Sequence, residues 1–138
     1  MASDIMALLQ QGLQTEYQAI FLYRLHAREV ADPELRAKFL EFGRMEQEHA
    51  AALGELILRL GGGISYSFSP LKALAKPLQQ VIDEHLAAEQ AAIQLYRHGI
   101  ELALDEEMVD TFAGLVRDEQ KHLRTLGRIR RRLFPEGG

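Results

Sequence analysis

The chain has 138 residues, 47% apolar and 26% charged, which predicts one domain around a single core and excludes a disordered tail protein. It contains no cysteine, which excludes disulfides, thiolate zinc sites, cysteine-ligated iron–sulfur clusters and cysteine nucleophiles. With 20 acidic against 16 basic side chains the net charge is -4, so no nucleic-acid partner is expected.

No apolar run approaches the roughly 20 residues that span a membrane. The start MASDIMALLQ has neither a basic n-region nor a cleavage site. A cytoplasmic protein without a membrane partner is the expectation. Only 4 Pro and 11 Gly occur, and strand-like alternation is absent, so the fold class is all-α.

Ser3 or Asp4 is placed to cap a first helix with the apolar-face stripe Ile5, Leu9, Gly12, Glu16, Ala19, Tyr23, Ala27, Val30. Asp32-Pro33-Glu34 reads as a helix start: a capping carboxylate, proline at the first position, then an acid that the helix dipole favours. The second stripe is Leu35, Phe39, Phe42, Glu46, His49, Leu53, Leu56, Leu60, and Gly61-Gly62-Gly63 stops it. Turn chemistry fills Ser65 to Pro77, with a short helical turn expected at Ser69-Pro70. The third stripe runs Leu78, Ile82, His85, Glu89, Ala92, Tyr96, Ile100, Ala103. After the capping run Asp105-Glu106-Glu107 the fourth runs Met108, Phe112, Leu115, Glu119, His122, Leu126, Ile129, Leu133. Hairpin one then spans about 3–60, a long crossover about 61–77 and hairpin two about 78–134, together a four-helix bundle occupying 1–138 as one domain.

Sliding the chain so that Glu16 falls on Glu89 aligns the hairpins without a gap. Identities include Glu16/Glu89, Tyr23/Tyr96, Asp32/Asp105, Glu34/Glu107, Glu46/Glu119, His49/His122 and Arg59/Arg132. Roughly 17 of about 45 positions agree, which marks a duplicated hairpin. Shared leucines alone would follow from amphipathicity; shared Glu, His and Tyr in one register do not.

The residues that carry chemistry are the polar ones inside the stripes: Glu16, Glu46, His49, Glu89, Glu119 and His122. Glu46 and His49, like Glu119 and His122, are three apart and project from one helical face. Glu16 lies about 16 residues before its turn and Glu46 about 14 after it, so at about 1.5 Å per residue they stand level across the hairpin. Glu89 and Glu119 obey the same arithmetic. Four inward carboxylates without a counter-charge would cost several kcal/mol per ion. Two divalent cations neutralise them, and oxygen with imidazole nitrogen suits iron, manganese or zinc. Glu from two helices and Glu-x-x-His from the other two is the ligand pattern of dinuclear carboxylate bundles.

On these motifs the sequence resembles the ferritin-like superfamily, and within it bacterioferritins. Glu16 to Arg28 (EYQAIFLYRLHAR) is similar to that family's first-helix signature, and Arg117 to His122 (RDEQKH) to its fourth-helix motif; the likeness covers about residues 5 to 133. It implies terminal ligands Glu16 and Glu89, bridging Glu46 and Glu119, and one histidine per metal at His49 and His122. It implies two iron ions, with manganese the alternative, and oxidation of Fe(II) by O2 or H2O2. It also matches Tyr23 to a position near the metal pair. A peroxide-consuming dimanganese or diiron protein and a non-catalytic metal-binding or cargo protein are the competing functions. Where bacterioferritins carry a haem-binding methionine this chain has Gln47, so no haem is expected. No fifth helix follows the fourth stripe, so a homo-oligomer (a dimer or larger) is expected rather than a storage cage.

Tyr23 and Tyr96 lie seven residues after their glutamates. They read as hydrogen-bond donors to a ligand carboxylate, as electron donors, or as core tyrosines with satisfied hydroxyls. Asp118 is placed to accept from the free ring nitrogen of His49, and its repeat mate is Met45, so that support is expected on one half only. His85, one turn before Glu89, reads as a core histidine or an occasional ligand. His26 and His98 are off the stripes and expected at solvent or against a neighbour. Arg128, Arg130, Arg131 and Arg132 complement the fourth helix's C-terminal dipole, with partner docking the alternative. Phe21, Tyr66 and Phe68 are candidates for packing under the crossover or at a dimer interface.

Overall fold

A computed structural model describes residues 2–65 and 75–135. Four helices make it up: α1 (Ala2–Glu29), α2 (Pro33–Arg59), α3 (Leu78–Leu102) and α4 (Glu106–Leu133). The expectations for Tyr66, Phe68 and the Ser69-Pro70 turn fall outside the described residues.

The capping chemistry expected at the two tight connections is present. Asp32 accepts from Leu35 N–H at 3.0 Å with Pro33 at the first helical position, and Asp105 accepts from Met108 N–H at 2.8 Å. α2 ends in a glycine-dependent lock. Gly61 takes φ +85°, Gly61 N–H reaches Leu58 O and Gly62 N–H reaches Ile57 O, satisfying carbonyls that the helix end leaves open. At the other terminus α1 already includes Ala2, so Asp4 is an acid within its first turn and not a cap.

α1 packs on α2 and α3 on α4, while α1 also meets α3 and α2 meets α4. Pairing of residue 23 with 89 and of 16 with 96 makes α1 and α3 antiparallel. The crossover sets out along α1, where Gln10 Nε2 donates to Gly63 O and Gln14 Nε2 to Ser65 O, both at 2.8 Å. The four stripes turn inward, and Ile5, Leu9, Leu35, Phe39, Leu53, Ile82, Met108, Phe112, Leu126 and Ile129 are fully buried. Apolar packing forms two clusters, one around Leu9, Leu53, Tyr96 and Phe112, the other around Tyr23, Phe39, Ile82 and Leu126. The polar stripe residues lie in the core with them. At about 25 cal/mol per Å², burial of these side chains is the main force holding the helices together.

The ends of the bundle are tied by a contact that the repeat makes twice. Arg132 reaches Asp32 at 2.8 Å and Glu34 at 3.0 Å, and Arg59 reaches Asp105 at 3.4 Å and Glu107 at 2.8 Å. Each arginine at the end of one hairpin thus meets the acidic start of the other hairpin's second helix. Arg128 also pairs with Glu34 at 2.7 Å, and Arg130 with Asp83. The basic end therefore clamps helix termini, beyond complementing a dipole.

Candidate metal centre

Glu16, Glu46, His49, Glu89, Glu119 and His122 are all buried and all face one layer of the bundle. They form two groups whose candidate ligand atoms lie within 4.8 Å of one another: Glu16, Glu46, His49 and Glu119, then Glu46, Glu89, Glu119 and His122. Glu46 and Glu119 belong to both. The helical spacing of three that joins each Glu to its His, and the hairpin height that levels Glu16 with Glu46, bring these groups together as their sequence positions require.

His49 Nδ1 lies 2.8 Å from Glu46 Oε1, 3.4 Å from Glu119 Oε1 and 3.7 Å from Glu16 Oε2. His122 Nδ1 lies 3.2 Å from Glu89 Oε2 and 3.4 Å from Glu119 Oε1. Yet Glu16 Oε1, Glu46 Oε1, His49 Nδ1 and Glu119 Oε1 are buried without a hydrogen-bond partner of acceptable angle. Converging lone pairs at these distances, unsatisfied by protein, are costly unless a cation or protons occupy the space between them. The donor set therefore fits two divalent ions.

Electrostatics say the same of the metal-free protein. Burial, followed by the charges of Glu16, Glu89 and Glu119, pushes the Glu46 carboxyl well above its ordinary range. Burial also raises Glu119, whose pKa is about 8. For His49 burial works downward, but the closeness of Glu119, Glu16 and Glu46 outweighs it and holds the imidazole charged well above its usual range.

Tyr23 and Tyr96 hold the outer carboxylates crosswise. Tyr23 on α1 donates to Glu89 Oε1 on α3 at 2.9 Å, and Tyr96 on α3 donates to Glu16 Oε2 on α1 in a short contact. Burial raises both phenols far above the ordinary tyrosine range, so each hydroxyl keeps its proton and remains a donor. Asp118 Oδ2 is 2.9 Å from His49 Nε2, as expected. Its repeat mate Met45 lies over the other histidine, Sδ 3.3 Å from His122 Nε2.

Two histidines were misplaced or left open by the sequence. His26 is buried at 7% exposure, not at solvent, with Nδ1 2.8 Å from Nε2 of His85. α1 faces α3 as well as α2, so its buried surface is wider than one stripe. The available signal was the spacing of three between Tyr23 and His26. His85 stacks on the Tyr23 ring, centroids 4.1 Å apart and planes 8° from parallel, and belongs to neither ligand group. Burial, then the neighbouring His26, lowers its pKa to about 3; burial also lowers His26. His98 is exposed, 3.5 Å from Glu101. Phe21 is half-buried.

The chain matches the family model of the ferritin-like domain over residues 6–133. It belongs to the ferritin-like family. A ferritin-like, diiron-carboxylate protein from Bacillus anthracis str. Ames superposes with a TM-score of 0.85 at 25% identity, covering 93% of this chain and 96% of that one. A bacterioferritin of Rhodobacter capsulatus, described as having a metal-free dinuclear site and haem iron, gives 0.82 at 27% identity and covers 98% and 90%. A dodecameric thioferritin, the bacterioferritin-related protein of Bacteroides fragilis, gives 0.81 at 19% identity, a likeness of fold, covering 93% and 84%. No curated protein matches significantly. Among the described residues no helix of this ferritin-like chain is long and apolar enough to cross a membrane.

Proposed function

We propose that the protein is a cytoplasmic ferroxidase, holding two iron ions between Glu16, Glu46, His49, Glu89, Glu119 and His122 and oxidising Fe(II) with O2 or H2O2. The observation that carries this reading is the buried, unsatisfied carboxylate and imidazole set of the two overlapping four-residue groups. The diiron-carboxylate relative, 25% identical over nearly the whole chain, supports it.

Glu46 and Glu119 belong to both groups and are the bridging candidates; Glu16 with His49 and Glu89 with His122 complete one position each. Bound there, a pair of iron ions supplies the electrons that reduce the oxidant. The chain's own work is positional. Tyr23 and Tyr96 fix the free oxygens of Glu89 and Glu16, each from the opposite hairpin, so both hairpins must be docked before either position is complete. Asp118 orients the His49 ring. Phe42 stacks 4.0 Å from His122, and with Tyr23 and Tyr96 walls the site against water. We place the protein in a homo-oligomer, which sedimentation of the purified chain measures.

The test is aerobic addition of Fe(II) to the metal-free protein. Stimulated Fe(III) formation by the wild type, lost in Glu46→Ala, is expected. No stimulation by the wild type overturns ferroxidase activity, and turnover of peroxide by the manganese-loaded protein instead favours the peroxide-consuming alternative.

A further inference from the structure

The two halves of the duplicated chain differ where they meet the histidines. Positions 45 and 118 correspond in the repeat. Asp118 Oδ2 stands 2.9 Å from His49 Nε2, whereas Met45 Sδ stands 3.3 Å from His122 Nε2. Both rings face the carboxylates through Nδ1. A cation at Nδ1 therefore requires the ring proton on Nε2 in each case. His49 then donates that proton to a carboxylate, an anionic acceptor that fixes the ring and enriches Nδ1 in electron density. His122 donates it to a thioether, a weak acceptor.

Other departures from the repeat fall on the same side. His85 and His26, beneath Tyr23 and the Glu89 carboxylate it holds, correspond to Gly12 and Gly99 in the other half. A surface hollow of about 280 Å³ also reaches this side, bounded by Lys38, Glu41, Phe42, Met45, Lys121 and His122 among others. Met45, half-buried, stands at the border between that hollow and the histidine it covers.

From this juxtaposition we infer that the two metal positions are unequal: the one completed by Glu16 and His49 fills first and is retained, and the one completed by Glu89 and His122 binds more weakly and exchanges. The inference rests on the dinuclear reading above. Partners that hydrogen-bond a ligating histidine are worth roughly 10–100-fold in metal affinity, which sets the expected difference between the two steps.

The experiment is an anaerobic titration of the metal-free protein with Mn(II), followed by calorimetry and by electron paramagnetic resonance. The first equivalent should give the spectrum of an isolated ion, and the spin-coupled pair should grow in only with the second. Met45→Asp restores a carboxylate opposite His122 and should tighten the second step by about tenfold or more while moving the first much less. Met45→Leu should leave both steps in place, and Asp118→Asn should weaken the first. A selective gain of affinity at the second step is not a result that misfolding produces. Equal steps in the wild type, or no tightening in Met45→Asp, overturns the inequality and leaves the dinuclear site standing. Fewer than two bound ions at saturation overturns the dinuclear reading and this inference with it.

Discussion

Filling the centre with metal should expel protons, and fewer of them as the pH rises. At pH 7 a Glu119 carboxyl of pKa about 8 is about 90% protonated. Burial and the charges of Glu16, Glu89 and Glu119 push the Glu46 carboxyl upward as well. The carboxylates of Glu119, Glu16 and Glu46 outweigh burial at His49 and raise its imidazole in turn. Cations bind carboxylate and neutral imidazole, so loading both positions at pH 7 should release protons, the one on Glu119 among them. These protons compete with the metal, and affinity therefore rises with pH, by about one decade per unit for each proton released. Above pH 8 Glu119 has already ionised, and the release should fall by about one. Calorimetric titration with Zn(II) in buffers of different ionisation enthalpy counts the protons directly. A release that stays unchanged between pH 7 and pH 9 would show that Glu119 is already ionised in the metal-free core and would refute the electrostatic argument.

His85 supplies a pH dependence of opposite origin. Its folded pKa of about 3 lies below the ordinary value near 6.5, so the unfolded chain takes up a proton between these values that the folded chain refuses. Stability from this group is full above about pH 6.5 and is lost on acidification, at up to ~1.4 kcal/mol per unit. Urea unfolding of metal-free His85→Leu should lose less stability between pH 7 and 5 than the wild type does; parallel losses would count against a neutral buried imidazole. At Gly99 an added Cβ would meet three Phe112 ring carbons at 2.7–2.9 Å, and that ring is fully buried. Gly99→Ala should cost ~1–3 kcal/mol by overpacking. Gly127→Ala, whose Cβ would meet only Arg131 Nη1 at 3.5 Å, should be neutral or stabilising by up to ~1 kcal/mol. Thermal unfolding compares the two, and equal midpoints would argue against the tight α3–α4 approach.

What could be read from the sequence was what lies along a helix. Spacings of three and four put Glu46 with His49 and Glu119 with His122, the caps at Asp32 and Asp105 mark their helix starts, and the repeat offset paired Asp118 with Met45. What lies across helices was harder. The hydroxyl of Tyr23 serves Glu89 and not the glutamate of its own helix, because α1 lies beside α3, an adjacency that periodicity does not encode. His26 was misplaced for the same reason: one stripe describes one neighbour, and α1 has two. The arginines at the end of α4 had visible charges but invisible partners, since Asp32, Glu34 and Asp83 are brought to them only by the closed bundle.

The crosswise pairs have a consequence for how such a centre changes over time. Two identical hairpins meeting about a two-fold axis would be bound by symmetry, with every substitution felt at both metal positions at once. One chain that carries both halves is released from that rule. A codon at position 45 alters the surroundings of His122 and leaves those of His49 alone, and the histidines at 26 and 85 can have glycines, at 99 and 12, as their counterparts in the other half. The candidate ligands themselves stay paired, since Glu16 and Glu89, Glu46 and Glu119, and His49 and His122 remain identical. Carrying both halves in one chain lets each candidate position be tuned separately, although both draw on Glu46 and Glu119.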